Sequence, residues 1–185
     1  MAVEEHAKSD GVAAVPIRDK EDTFLLDCIE SKLDSSSAVD LDQRSTIRPK
    51  GMVMAIRRPH SQDILDGRKP IEFRKSNFKQ ASQPIVCFIY EPSPTQAIVG
   101  LFTIEKLEER PVSELLDLGS MKTPSSKESL GEYYAEKDSG TAIFISETRR
   151  LQAPITLHRN NGDWAFTPPQ NYYYVDPAEF AESLV

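Results

Sequence analysis

The sequence predicts an α+β domain: a compact, mixed and mostly antiparallel β-barrel of about six strands with flanking helices. Three observations carry that expectation. Apolar runs of strand length recur from Gly51 to Val175, each bounded by Pro, Gly or charged residues. Helical spacing occurs after the first run and again between the fourth and fifth. Short strands so well mixed with turns suit a small antiparallel barrel better than a doubly wound parallel sheet.

The elements follow in order. "GMVMAI" is a short apolar strand that ends before Pro59. "PHSQDILDG" predicts about two helical turns, with Pro59 near the first position and Gly67 as a left-handed cap. "PIEFRK" alternates, so Ile71 and Phe73 face one way and Glu72 and Arg74 the other. "PIVCFIY", residues 84–90, is continuously apolar and predicts a strand buried on both faces. "EPSPTQ" breaks it with two prolines. "AIVGLFTIEKLEE" then predicts a long strand, in which Gly100 marks a bulge or a close backbone approach. "RPVSELLDLGS" predicts a helix from Pro111 to a stop at Gly119, and "SSKESLGEYYAEKDSG" a second one opened by Ser125 and Glu128. "TAIFISETRRL" and "PPQNYYYV" supply the closing strands.

Residues 1–47 read differently. "SKLDSSSAVDLDQRST" has too few apolar residues for a core, so an acidic, largely flexible extension is expected there. Within it, Phe24, Leu25, Cys28 and Ile29 have helical spacing, which predicts a short helix over residues 20–33. That helix either docks on its own domain or engages a protein partner. The domain is expected over 48–177 and a C-terminal tail over 178–185.

Composition narrows the function classes. Of the 185 residues, 39% are hydrophobic, enough for a real core, and the formal net charge is −7. The charge is uneven: residues 52–80 hold seven Lys/Arg against three Asp/Glu, while residues 1–51 and 81–185 are net acidic. Such a balance argues against non-specific binding along duplex nucleic acid, which needs many phosphate contacts. It allows one focused positive cleft on an acidic body. Cys28 and Cys87 lie far apart in dissimilar surroundings, so no disulfide is expected and a reducing compartment fits. No Cys or His pair has metal-ligand spacing, and neither metal nor cofactor is expected. "MAVEEHAKSD" has no signal-peptide character, and no apolar run approaches the roughly 20 residues of a membrane span. A soluble intracellular protein, cytoplasmic or nuclear, is the expectation.

The chemistry concentrates in "GRKPIEFRK". Arg74 offers a planar fork for phosphate, carboxylate or a base edge. Glu72 shares its strand face and can orient Lys69 or Arg74, accept a ligand hydrogen bond, or act as a general base. The plain alternative is a solvated ion pair on a strand face, worth little. The pattern Gly67-x-Lys69-x-x-Glu72-x-Arg74 after a short helix resembles the signature of the ASCH (ASC-1 homology) domain family, whose fold is PUA-like. The likeness runs on through "VCFIYEPSPTQAIVGLFTIEKLEE", "GTAIFISETRRLQAPI" and "PPQNYYYV", and covers about residues 52–176.

The resemblance implies a cleft between barrel and inserted helices, lined by Lys69, Glu72 and Arg74, with Gly67 shaping the turn. It implies RNA or a modified nucleotide as ligand, and hydrolysis in some members. One branch deacylates modified cytidine with a lysine and a threonine from this segment. Glu72 stands where that threonine would be, and "GRKPIEFRK" holds no hydroxyl, which argues against that mechanism.

Neighbouring residues are weaker candidates. At most one of Arg57 and Arg58 can join Arg74, since adjacent strand residues face opposite ways; Arg58 is the one counted with the site. Tyr90 and Ser93 flank the turn "YEPSP", where a base could stack and a hydroxyl could meet phosphate. Lys75 and Lys79 are plausible phosphate contacts, and Trp164 and Tyr172–Tyr174 further stacking surfaces. His60 reads as an exposed helix-start histidine or a proton shuttle. Three functions remain open: a nucleotide or single-stranded RNA-binding module; a small amidohydrolase or ribonuclease using Lys69 and Glu72 as catalytic pair; and a protein adaptor acting through residues 20–33.

Overall fold

The computed structural model describes residues 51–76, 78, 86–158 and 165–184. The expected extension with its helix, and also Cys28, Lys79 and Trp164, lie outside the described residues. The chain runs β1 (Gly51–Ala55), α1 (His60–Leu65), β2 (Ile71–Arg74), β3 (Val86–Glu91), β4 (Ala97–Pro111), α2 (Val112–Lys122), α3 (Lys127–Tyr133), β5 (Ser139–Thr156), β6 (Tyr172–Val175) and α4 (Pro177–Leu184). The strands form one six-stranded sheet in the order β2-β5-β4-β3-β1-β6. Among the described residues only β1 and β3 pair in parallel, and every other ladder is antiparallel.

The continuous apolar runs are explained by burial on both faces of the sheet. Met52 and Met54 of β1, with Cys87 and Ile89 of β3, enter a core that also holds Ile64 of α1 and Phe102. Their alternating neighbours Val53, Phe88 and Tyr90 enter a second core against Phe166 and Ala181. Ile71, Phe73 and Ala142 build a third beneath Leu115 of α2 and Leu130 of α3. Each buried Val, Leu, Ile, Phe or Met among them stabilises the fold by about 1.5–3 kcal/mol through burial. The Cys87 thiol sits in this apolar surround, which pushes its pKa far above the ordinary value.

Among the described residues the sheet is not closed, so the expected barrel is not shown. β2 and β6 are the two edges of the sheet, and among the described residues no ladder joins them. Each is four residues long, so little strand remains with which to close the gap. Side chains tie the edges instead. Arg74 Nη1 donates to Asn171 Oδ1 at 2.9 Å, Asn171 Nδ2 donates to Ser76 Oγ at 3.0 Å, and Phe78 packs on Tyr172 with ring centroids 4.8 Å apart.

Three local expectations are corrected. Gly119 does not stop α2, which continues to Lys122; the glycine lets α3 pack closely, since a Cβ there would lie 2.1 Å from Leu130 Cδ1. The cap of α3 is Ser126, one residue later than expected, whose hydroxyl accepts from Ser129 N–H at 3.1 Å. Residues expected as a tail carry α4, where Phe180 meets Phe88 edge to face and Ala181 is buried.

Gly100 does mark a register irregularity and a close approach: a Cβ there would sit 2.4 Å from Arg149 O. Gly100→Ala forces the β4–β5 backbones apart. We expect it to cost about 1–3 kcal/mol, read as a lower urea midpoint with unchanged slope.

Candidate functional site

The signature segment is folded by its own caps. Gly67 takes φ +74°, a left-handed conformation that ends α1, and Lys69 N–H donates back to Asp63 O at 2.9 Å. That turn sends the Lys69 side chain inward, and β2 then presents Glu72 and Arg74 on one face. Lys69 and Glu72 are 4% and 5% exposed and form an ion pair. Arg74 Nη2 reaches Glu72 Oε1 at 3.1 Å and donates to Ala55 O at 2.8 Å. This is a buried cation–carboxylate–cation cluster, not the solvated pair that a strand face allows.

Burial alone would raise the Glu72 pKa, but the Lys69 and Arg74 charges outweigh it and hold the carboxyl below its ordinary value. Glu72 is therefore a fixed anion that positions two cations. This argues against a proton-donating role at neutral pH.

The cluster forms the floor of a cavity of about 550 Å³, within the range that encloses one small ligand. Arg57 and His60 stand at its mouth, Ser125, Ser129, Leu130 and Tyr133 of the α3 region form one wall, and Pro169 and Gln170 the other. Its lining holds the basic side chains of Arg57, Lys69 and Arg74 and the Glu72 carboxylate, a formal net charge of +2. Burial and the adjacent Lys69 charge push the His60 pKa below the ordinary histidine value. Among the described residues, no group of three or more His, Cys, Asp or Glu is placed to hold a metal ion.

The structure brings Lys69, Glu72 and Arg74 together, with Gly67 ending the helix before them. Other candidates go elsewhere. Arg58 turns away from the cavity: its Nε donates to Glu91 Oε2 at 3.0 Å, and Arg57 lines the cleft in its place. Tyr90 is core, edge to face with Phe166 at 5.6 Å. Ser93 is exposed in the β3–β4 turn and does not line the cavity, although Pro92 does. Lys75 serves the wall indirectly, its Nζ 5.0 Å above the Tyr133 ring and its N–H donating to Tyr133 Oη at 3.3 Å.

Two features escaped the sequence reading. Tyr133 reaches the cavity only because α3 folds over β2, and no local pattern marks it. Glu91 is 1% exposed; it accepts from Ser61 Oγ at 2.6 Å, Thr95 Oγ1 at 2.9 Å, Arg58 and Gln62. Burial would raise its pKa, yet these four donors lower it, and together they anchor the start of α1 beside the cavity. An acidic residue directly ending the apolar run "VCFIY" was the available signal.

No family model matches the chain, and no curated protein matches it. Solved structures do. ASCH from Zymomonas mobilis superimposes with a TM-score of 0.61 at 20% identity, covering 72% of this chain and 94% of that one. A serine-to-alanine mutant of the same protein gives 0.61 at 20% identity over 74% and 97% of the two chains. A tyrosine-to-phenylalanine mutant gives 0.60 at 20% over 72% and 97%. The site therefore sits on a known architecture: this polypeptide has the ASCH-domain fold.

Proposed function

We propose that the cleft binds a nucleotide, free or as a unit of a short single-stranded RNA segment, with modified nucleotides within its range. The observation that carries this reading is the cavity itself: about 550 Å³ with a net charge of +2 at its lining, in a protein of net charge −7. A focused positive cleft in an acidic body concentrates an anion at one place and repels long polyanions elsewhere. Tyr133, held by Lys75, gives the wall an aromatic face suited to a base. Because Glu72 is a fixed anion clamped between two cations, binding is favoured over hydrolysis by a Lys69–Glu72 pair.

Arg57 provides the clean test. It is exposed at the mouth, and the described ion pairs do not engage it. Calorimetric titration with uridine and guanosine monophosphates and a short RNA oligomer should give saturable binding that weakens with salt. Arg57→Ala should reduce that affinity about tenfold while leaving the melting temperature unchanged. Absence of binding, or identical affinity in Arg57→Ala, would refute the reading.

A further inference from the structure

We propose that the free edge of β2 at Phe73 is the specificity element of this cleft, its main-chain N–H and C=O reading the hydrogen-bonding edge of a nucleobase; this rests on the nucleotide reading above. The parity of the β2–β5 ladder carries the argument. Ile145 N–H donates to Pro70 O at 3.0 Å, so Pro70 and Ile145 belong to a hydrogen-bonded pair. The register Ile71↔Phe144, Glu72↔Ile143, Phe73↔Ala142, Arg74↔Thr141 then assigns Glu72 and Arg74 to hydrogen-bonded pairs and Phe73 to a non-hydrogen-bonded one. The N–H and C=O of Phe73 therefore point away from β5. β2 is the outer strand of the sheet, so among the described residues no ladder takes them up on that side. Among the described residues neither has a main-chain partner.

Phe73 lines the cavity, yet its ring is committed elsewhere. A Cβ on Gly119 would lie 3.4 Å from Phe73 Cε2 and Cζ, and the ring packs with Leu115 under α2. The ring tip thus points to α2, and the main chain is the part of Phe73 left for the cleft. Phe73 is 4% exposed, and unsatisfied main-chain groups this deep are costly. A ligand that supplies an acceptor and a donor side by side removes that cost. The base edges that proteins read in unstacked nucleotides present such pairs, whereas a bare phosphate or sugar phosphate presents no planar donor–acceptor edge. With the base on Phe73 and beside Tyr133, the phosphate falls to Arg57, Lys69 and Arg74.

The test uses the full chain and paired ligands: uridine monophosphate with its N3-methyl derivative, guanosine monophosphate with its N1-methyl derivative, and ribose 5-phosphate. Methylation replaces the ring N–H donor beside the carbonyl with a methyl group and leaves the phosphate charge. At least one parent nucleotide should bind, and its methylated partner and ribose 5-phosphate should each bind at least about tenfold more weakly. With ¹⁵N-phenylalanine labelling, one of eight phenylalanine amides, assigned by Phe73→Leu, should show slowed hydrogen exchange on adding the parent but not ribose 5-phosphate. If parent, methylated form and ribose 5-phosphate bind equally, the edge reading is overturned while the anion site stands. If none binds at millimolar concentration, both fall together.

Discussion

Glu72→Ala is expected to destabilise the protein by about 3–5 kcal/mol, because it strands Lys69 as an uncompensated charge in a buried place. Chemical denaturation at neutral pH reads this directly. The double variant Lys69→Met/Glu72→Leu removes both charges and keeps the volume, so it should be clearly more stable than Glu72→Ala. The single variants Lys69→Met and Glu72→Leu complete the cycle, and additive losses across it would refute the pair as a coupled unit. Lys69→Ala, which sequence reading alone would expect to spare the fold, becomes a stability change for the same reason.

The pH dependence follows with a definite sign. Glu72 has a folded pKa below its ordinary value of 4.5. Its contribution is therefore complete above that value and lost as pH falls through the lower folded one. Acid unfolding of the wild type should steepen in this range, and Glu72→Ala should flatten the profile. A residual slope should persist, since Glu91 is depressed in the same direction.

Arg74→Lys is the second large effect. The guanidinium serves Glu72, Ala55 O and Asn171 at 3.1, 2.8 and 2.9 Å and so ties β2 to the end of β1 and the approach to β6. A lysine ammonium is a point charge without the fork. It can reach one or two of these partners, leaving a main-chain carbonyl or a carboxylate oxygen short of a donor. We expect a loss of about 2–3 kcal/mol, together with at least tenfold weaker nucleotide binding. Denaturation and titration of the same variant check both. Unchanged stability would mean that Arg74 does not bridge the sheet edges.

Much of the fold was legible because it is written in local periodicity. The apolar runs of β1 and β3, the alternation of β2 and the cap at Gly67 depend on neighbours within a few residues, and all are found in place. Gly119, Ser125 and the supposed tail were misread because packing decides them. Gly119 is small for Leu130 and need not end a helix, and the helical face of 177–184 shows its purpose only when Phe88 lies beneath it. Barrel closure, not shown among the described residues, depends on how the two four-residue edges meet, a property of the whole sheet.

The site divides in the same way. By itself the sequence determined that Glu72 and Arg74 share one strand face with Lys69 in the turn before it, and it left open whether they make a solvated ion pair or the wall of a cleft. It could not choose between Arg57 and Arg58, because that choice depends on Glu91, more than thirty residues away, which captures Arg58. Nor could it show Tyr90 in the core, Tyr133 at the wall, or a Phe73 edge with no main-chain partner among the described residues. Those assignments belong to the tertiary structure for one physical reason. Burial and hydrogen-bond satisfaction are decided by whatever packs against a residue, and here the deciding partners come from distant strands and helices.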